Sequence, residues 1–286
     1  MSLGARLGLL LTLALSLVTT SGVAAAGPTK GARASDRRAA KAKPRDDKGK
    51  KGVQSIGSPN AGRLVGAARL RGSRSLRQRV GAHSWGLPVL VKMLRRAADK
   101  VAQKHRGAML LVGDLSGRNG GRLDGHNSHQ SGRDVDVGFY VANSRGKTVP
   151  VKRFIAFDAN GRARDLPWAT FDEARNWALV EALLKDEKVS IRYLFISNAL
   201  RGKLLAYAAK KRAPKSLVER AAAVMMSPAD ADLHDDHFHV RIACPESMRG
   251  VCQEESRHAP KDAPQEGEKP APAKAKAGAS DGDATE

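Results

Sequence analysis

Two short polar stretches, far apart in the chain, set the strongest limit on how this sequence can fold. The first is Gly125-His126-Asn127-Ser128-His129-Gln130-Ser131-Gly132-Arg133-Asp134-Val135-Asp136, and the second is His234-Asp235-Asp236-His237-Phe238-His239. Five of the eight histidines fall in these segments, each with carboxylates beside it. A lone His in a polar loop is ordinarily a surface residue, and a lone Asp on a strand is ordinarily solvated. Clustering changes that reading, because imidazole and carboxylate are the donors a zinc ion takes, and catalytic zinc keeps three protein ligands and one open position. To bring both stretches to one ion, the fold must place them on neighbouring elements.

Periodicity says which atoms can meet. From Asp134 to Val141 the pattern alternates, so Val135, Val137 and Phe139 share one face and Asp134 and Asp136 the other. Asp136 is therefore expected on the open face of a strand whose back is in the core. The run from His237 to Ile242 alternates too, with Phe238, Val240 and Ile242 inward and His237 and His239 together outward. His129 reaches Asp136 if the residues between them fold back, a turn that Gly132 permits. His239 becomes a third ligand if the two strands are neighbours. Two imidazoles and a carboxylate leave one position for water, whose pKa zinc lowers toward ~7. His237, on the same strand face, is placed to take that water's proton and pass it to a leaving amine. His234 and His126 are candidates to hydrogen-bond a tetrahedral oxyanion or to orient the ligands. His83, His105 and His258 have no such company and read as structural.

Elsewhere the spacing predicts a helix from Pro88 to about His105, a short strand over 108–112 and a glycine-rich loop from Gly113 to Asn127. A loop over 143–170 with a Lys147/Lys152 edge, a helix over 171–185 and a strand over 191–197 follow. Two further helices, 200–211 and 216–226, precede the second histidine cluster. No tidy βαβ repeat is visible. The expected fold is α+β, a mostly antiparallel central sheet flanked by helices, with the zinc site on the open sheet face.

The ends differ in character. Residues 1–26 read as a secretory signal, with Arg6, an apolar run from Leu9 to Val18 and Ala24-Ala25-Ala26. The apolar run is shorter than a bilayer span, so no transmembrane segment is expected in the mature chain. Residues 27–52 form a basic arm and 253–286 a low-complexity tail, both expected to be disordered around a domain at 53–252. Cys244 and Cys252, the only cysteines, read in an exported chain as a disulfide loop. The formal charge of +21 attracts polyanions. Outside the membrane these are the cell wall and the anionic envelope. With few aromatic residues for stacking and an export signal in place, nucleic acid is not the expected partner. There is no H-E-x-x-H. Ser144-Arg145-Gly146-Lys147 matches S-x-x-K but lies in a turn and has neither partner motif of the serine acyl-enzymes.

The segment from Ser128 to Asp136 resembles the H-x6-D motif of the lysostaphin, D-Ala-D-Ala carboxypeptidase and hedgehog group of zinc peptidases, and His237-Phe238-His239 is similar to its H-x-H. More narrowly, the chain resembles the penicillin-insensitive murein endopeptidases. Ser55-Ile56-Gly57, Gly113-Asp114, Gly120-Gly121-Arg122, Gly125-His126 and the run from His239 to Pro245 match as well. The resemblance implies one Zn2+ per chain held by His129, Asp136 and His239, with His237 as catalytic base. It places His234 and His126 near the metal, His126 as a ligand of an additional ion. For an Asp and His of the family's middle segment the nearest candidate is Asp172, with no His after it. The implied activity is hydrolysis of the D-alanyl–meso-diaminopimelate cross-link of periplasmic peptidoglycan, without acylation by β-lactams. The rivals are a zinc D,D-carboxypeptidase trimming terminal D-Ala and a non-catalytic wall-binding module.

Overall fold

Helix α1 (Pro88–Lys104) shows how the chain builds its elements. Proline opens it, and Leu90, Val91, Met93, Leu94, Ala97, Ala98 and Val101 form one buried stripe. No side chain caps its first turn. A missing cap costs about 1 kcal/mol, whereas burying each large aliphatic side chain contributes roughly 1.5–3 kcal/mol. Tertiary burial therefore decides that this segment is helical. The computed structural model of the protein describes residues 52–227 and 234–254. The expected leader, the basic arm up to residue 51, and the tail after Glu254 lie outside the described residues, as does His258.

In chain order the described strands are β1 (Gln54–Gly57), β2 (Gly62–Val65), β3 (Ala68–Arg69), β4 (Leu76–Gln78), β5 (Trp85–Gly86), β6 (Leu110–Val112) and β7 (Asp134–Gly138). They continue with β8 (Val141–Asn143), β9 (Thr148–Val149), β10 (Ala169–Phe171), β11 (Ile191–Phe195), β12 (Met225–Met226) and β13 (His237–Ile242). The further helices are α2 (Glu173–Leu184), α3 (Asn198–Lys210) and α4 (Lys215–Val224). Six strands form the main sheet in the order β12-β11-β13-β7-β6-β4, and smaller sheets pair β1 with β2, β3 with β5, and β8 with β9 and β10.

The α+β class stands, but the main sheet is mixed, which corrects the expectation of a mostly antiparallel one. Its inner pairings, β11 with β13, β13 with β7 and β7 with β6, are antiparallel. Both edges are parallel, β4 on β6 and β12 on β11. The cause is a helical crossover at each edge: α1 lies between β4 and β6, and α3 with α4 between β11 and β12. Strands of three and two residues left too short a pattern for those crossovers to be read from sequence. The region expected as a loop over 143–170 contains β9 and starts β10.

The register of the two functional strands is the feature that matters. Asp136 lies directly opposite His239, and His237 opposite Gly138. On the other face, Val135, Val137, Phe238 and Val240 are fully buried in the same core as the helices. The metal-facing side is not open as expected: all five residues of β7 are buried, Asp134 at 0 % and Asp136 at 4 % exposure. The segment before β7 covers this face, with the Leu115 carbonyl and the His126 and His129 rings lying over it.

Gly132 makes that cover fit. Its φ is +74°, and a Cβ on it would stand 2.6 Å from Leu64 Cδ2. Its carbonyl accepts from the Leu87 amide at 2.9 Å, just ahead of α1. Gly132→Ala is expected to lower unfolding stability by about 2 kcal/mol or more, combining left-handed strain with overpacking. Urea unfolding followed by circular dichroism measures it, and an unchanged midpoint would contradict this account of the turn.

Candidate metal centre

Asp136 is the hub. Its Oδ1 lies 3.3 Å from His129 Nε2, 3.5 Å from His239 Nδ1 and 3.6 Å from His237 Nε2. Its Oδ2 lies 3.8 Å from His126 Nδ1. Four imidazoles thus surround one buried carboxylate, drawn from the loop before β7 and from β13. The tightest group with metal-ligand spacing is His126, His129 and Asp136, whose donor atoms lie within 4.8 Å of one another. His239 faces the same carboxylate oxygen from the adjacent strand. His129 Nε2 and Asp136 Oδ1 are buried without a hydrogen-bond partner. Orphaned polar atoms of this kind cost stability unless something binds them. A cation accepting both lone pairs is what the donor set suits, so the residues present fit a metal ion.

Each ring is turned by an acceptor on its far side. His129 Nδ1 donates to the Leu115 carbonyl at 2.6 Å, leaving Nε2 for the centre. His239 Nε2 donates to Asp134 Oδ1 at 2.8 Å, leaving Nδ1. His237 Nδ1 is hydrogen-bonded to Asp236, leaving Nε2. His126 Nε2 faces Asp114 Oδ2 at 3.6 Å, leaving Nδ1. Outer acceptors of this sort fix tautomer and ring angle at metal sites.

The supporting residues are tied in their turn. Asp134 also accepts from Arg241 Nε at 2.6 Å. Asp114 accepts from Arg79 Nη2 at 2.5 Å and from the His83 amide at 2.7 Å. Phe154 stacks on His237, with ring centroids 5.1 Å apart and planes 16° from parallel, and the Arg79 guanidinium carbon lies 5.5 Å from the Phe154 centroid. The Phe154 ring fits because a Cβ on Gly113 or Gly138 would stand 2.6 or 2.8 Å from it.

Electrostatics follow from this packing. Burial opposes the charge on Asp136, but His129, His239 and His237 around it hold its pKa below the usual carboxylate range. Burial likewise opposes the charge on Asp134, and Arg241 and His239 hold it low. Groups lowered in this way contribute stability at neutral pH that is lost as pH falls below the ordinary Asp value of about 3.9. Burial disfavours the His129 imidazolium, yet Asp136 and Asp134 outweigh it and raise the pKa to about 9. His234 goes the other way: burial, then His237 and His239, lower it to about 4, so its ring is neutral at neutral pH.

Of the residues singled out in the sequence, His126, His129, Asp136, His237 and His239 meet here. His234 lies beside them, its ring 5.2 Å from that of His237 and its Nδ1 buried without a partner. Asp172 does not join them. It caps α2 by accepting from the Arg175 amide at 3.0 Å. His83, read as structural, belongs to the surroundings of the centre through Asp114. Sequence reasoning missed the roles of Asp114, Asp134, Asp236 and Phe154. Asp236 had a signal, its place beside His237; Phe154 had none.

Comparison with known proteins identifies the family. Residues 55–271 match the family described as penicillin-insensitive murein endopeptidase. The chain is 28% identical over 197 residues to the penicillin-insensitive murein endopeptidase of Escherichia coli (strain K12 / DH10B), a match covering 68% of this chain and 67% of that protein. It is 27% identical over the same length to the protein of that name from Shigella boydii serotype 18 (strain CDC 3083-94 / BS512), with the same coverage.

Proposed function

The chain belongs to the penicillin-insensitive murein endopeptidase family, and on that footing we propose that it is an exported zinc endopeptidase that hydrolyses D-alanyl–meso-diaminopimelate cross-links of peptidoglycan in the periplasm. The observation that carries this reading is the convergence of four imidazoles on the buried Asp136 carboxylate. His129, Asp136 and His239 would hold the ion, with His126 as a further donor. When bound, zinc lowers the pKa of a water toward ~7 and polarises a carbonyl oxygen.

The remaining work falls to the chain's own residues. His237 Nε2 faces the centre while Asp236 engages Nδ1, so Nε2 is the atom that takes the water's proton and returns it to the leaving amine. Stacking on Phe154 fixes the plane of that ring. The neutral His234 can donate to the oxygen that gains charge as the peptide carbonyl is attacked. The segment before β7 lies over the carboxylate through His126 and His129. No serine takes part, so β-lactams have nothing to acylate.

Digestion of purified muropeptides tests the proposal. Cross-linked dimers are expected to disappear, the activity to be lost on chelation and restored by Zn2+, and penicillin to have no effect. Loss of pentapeptide with dimers intact would transfer the reading to a D,D-carboxypeptidase. Binding to the wall without any turnover would make it a non-catalytic module.

The raised pKa of His129 gives a pH dependence that activity does not enter. In the metal-free protein Asp136 and Asp134 favour a proton on His129, and an ion must displace it. Affinity is therefore expected to rise with pH across neutrality. Calorimetric titration of Zn2+ in buffers of different ionisation enthalpy should show net proton release at pH 7.5. Proton-neutral binding there would contradict the assignment.

A further inference from the structure

Only two described residues other than glycine hold a positive φ, His129 at +69° and Arg212 at +53°. The first is a side chain of the metal centre. Arg212 follows Lys211, the C-cap of α3, where glycine takes a left-handed backbone without strain. An arginine is held there at a cost in stability, and residues kept in such conformations cluster at functional sites.

Its surroundings supply a reason. Arg212 lines a cleft of about 440 Å3 between the end of α1, the outer side of α2 and the turn from α3 to α4. Lys104 and Lys211 share the lining with it, Tyr207 supplies aromatic surface, and the wall behind includes the buried Trp177. Glu181 is the one carboxylate among the lining residues, and it is already engaged by Lys104 at 3.3 Å and Lys185 at 2.7 Å. Lys211 Nζ lies 5.7 Å from the centroid of the Tyr207 ring. No described carboxylate pairs with Lys211 or Arg212. His105 also lines the cleft, and its Nε2 is buried without a hydrogen-bond partner. None of these residues belongs to the metal centre.

We propose that this cleft is a second, non-catalytic binding site for peptidoglycan, taking the free carboxylates of a peptide stem together with the adjoining sugar. Its cations take the carboxylates and its tyrosine face takes the C–H side of a sugar. The volume falls in the range of sites for one small ligand unit. Seated there, the enzyme is held on an insoluble polymer while the metal centre works elsewhere on the molecule. The identity of the ligand rests on the function proposed above; the existence of an anion site does not.

Co-sedimentation of the full chain with purified peptidoglycan sacculi, on ice to suppress turnover, reads binding directly. The variant to compare carries Lys211→Ala and Arg212→Gly, the second change relieving the positive φ so that folding is not the casualty. Sacculus binding is expected to weaken about tenfold, the order expected for losing two cations facing an anionic surface. Cleavage of soluble cross-linked dimers is expected to stay unchanged. Sacculi with amidated carboxylates should bind the parent protein no better than the variant binds untreated ones. Parent-like binding by the variant overturns the proposal. So does an equal loss in a control carrying Arg74→Ala and Lys92→Ala, two exposed cations outside the cleft, since general charge would then suffice. Should soluble dimers resist the parent as well, the endopeptidase reading fails, and the sedimentation result still decides the cleft.

Discussion

Asp136→Asn is expected to strip the centre of its metal and abolish turnover. The carboxylate lies within 4 Å of all four facing imidazoles, so its charge serves each of them at once. Removing an outer hydrogen-bond partner of a metal ligand typically costs 10–100-fold in affinity, roughly. Removing a ligand that also balances His129 should cost well beyond that. Zinc per chain, measured by elemental analysis after gel filtration, is predicted to fall close to zero, with muropeptide cleavage undetectable. Circular dichroism should confirm a folded chain, because β7 keeps its pairings to β13 and β6. A variant that retains stoichiometric zinc would remove Asp136 from the ligand set.

His237→Ala separates chemistry from metal binding. The ring faces Asp136 at 3.6 Å while Asp236 engages its other nitrogen, the arrangement proposed above for the base. Zinc content is expected to stay near that of the parent while kcat falls by about 10^2–10^4, the usual contribution of a positioned acid–base group. His239→Ala, two residues along the same strand, should lose metal and activity together. If both variants behave alike, the division of labour proposed for this strand face is wrong. Phe154→Ala gives a milder relative of the same result, since it frees the His237 ring without removing it.

How much of this was legible in the sequence depended on the range of the interactions. The alternation of β7 and β13 gave the sides of both strands, and histidine clustering gave the ring donors. Their register, His239 opposite Asp136, is a long-range fact that no local pattern contains. Asp134 shows the limit well. Period two puts it beside Asp136 on the face expected to be open, yet it is fully buried, with its charge met by Arg241 and His239. The parallel sheet edges escaped notice since β4 and β12 are shorter than any readable period. Phe154 escaped because a single aromatic in a loop carries no period at all. The Cys244–Cys252 disulfide was legible, and it is formed.

Arg133 lies between His129 and Asp136 in sequence, and its side chain is fully buried. Its guanidinium donates to the Ile242 carbonyl at 3.3 Å, to the Gln253 carbonyl at 2.6 Å and to Glu254 Oε2 at 2.9 Å. Glu254, 121 residues further along, also accepts from the Cys244 amide at 2.6 Å, beside the disulfide. The cation buried in the ligand-bearing stretch is thus neutralised from beyond the second cysteine. During synthesis His126, His129 and Asp136 emerge long before Glu254, so the brace on Arg133 is in place only once the chain beyond the second cysteine has been made. Assembly of the histidine- and aspartate-bearing stretch before β7 is in this way tied to completion of the fold.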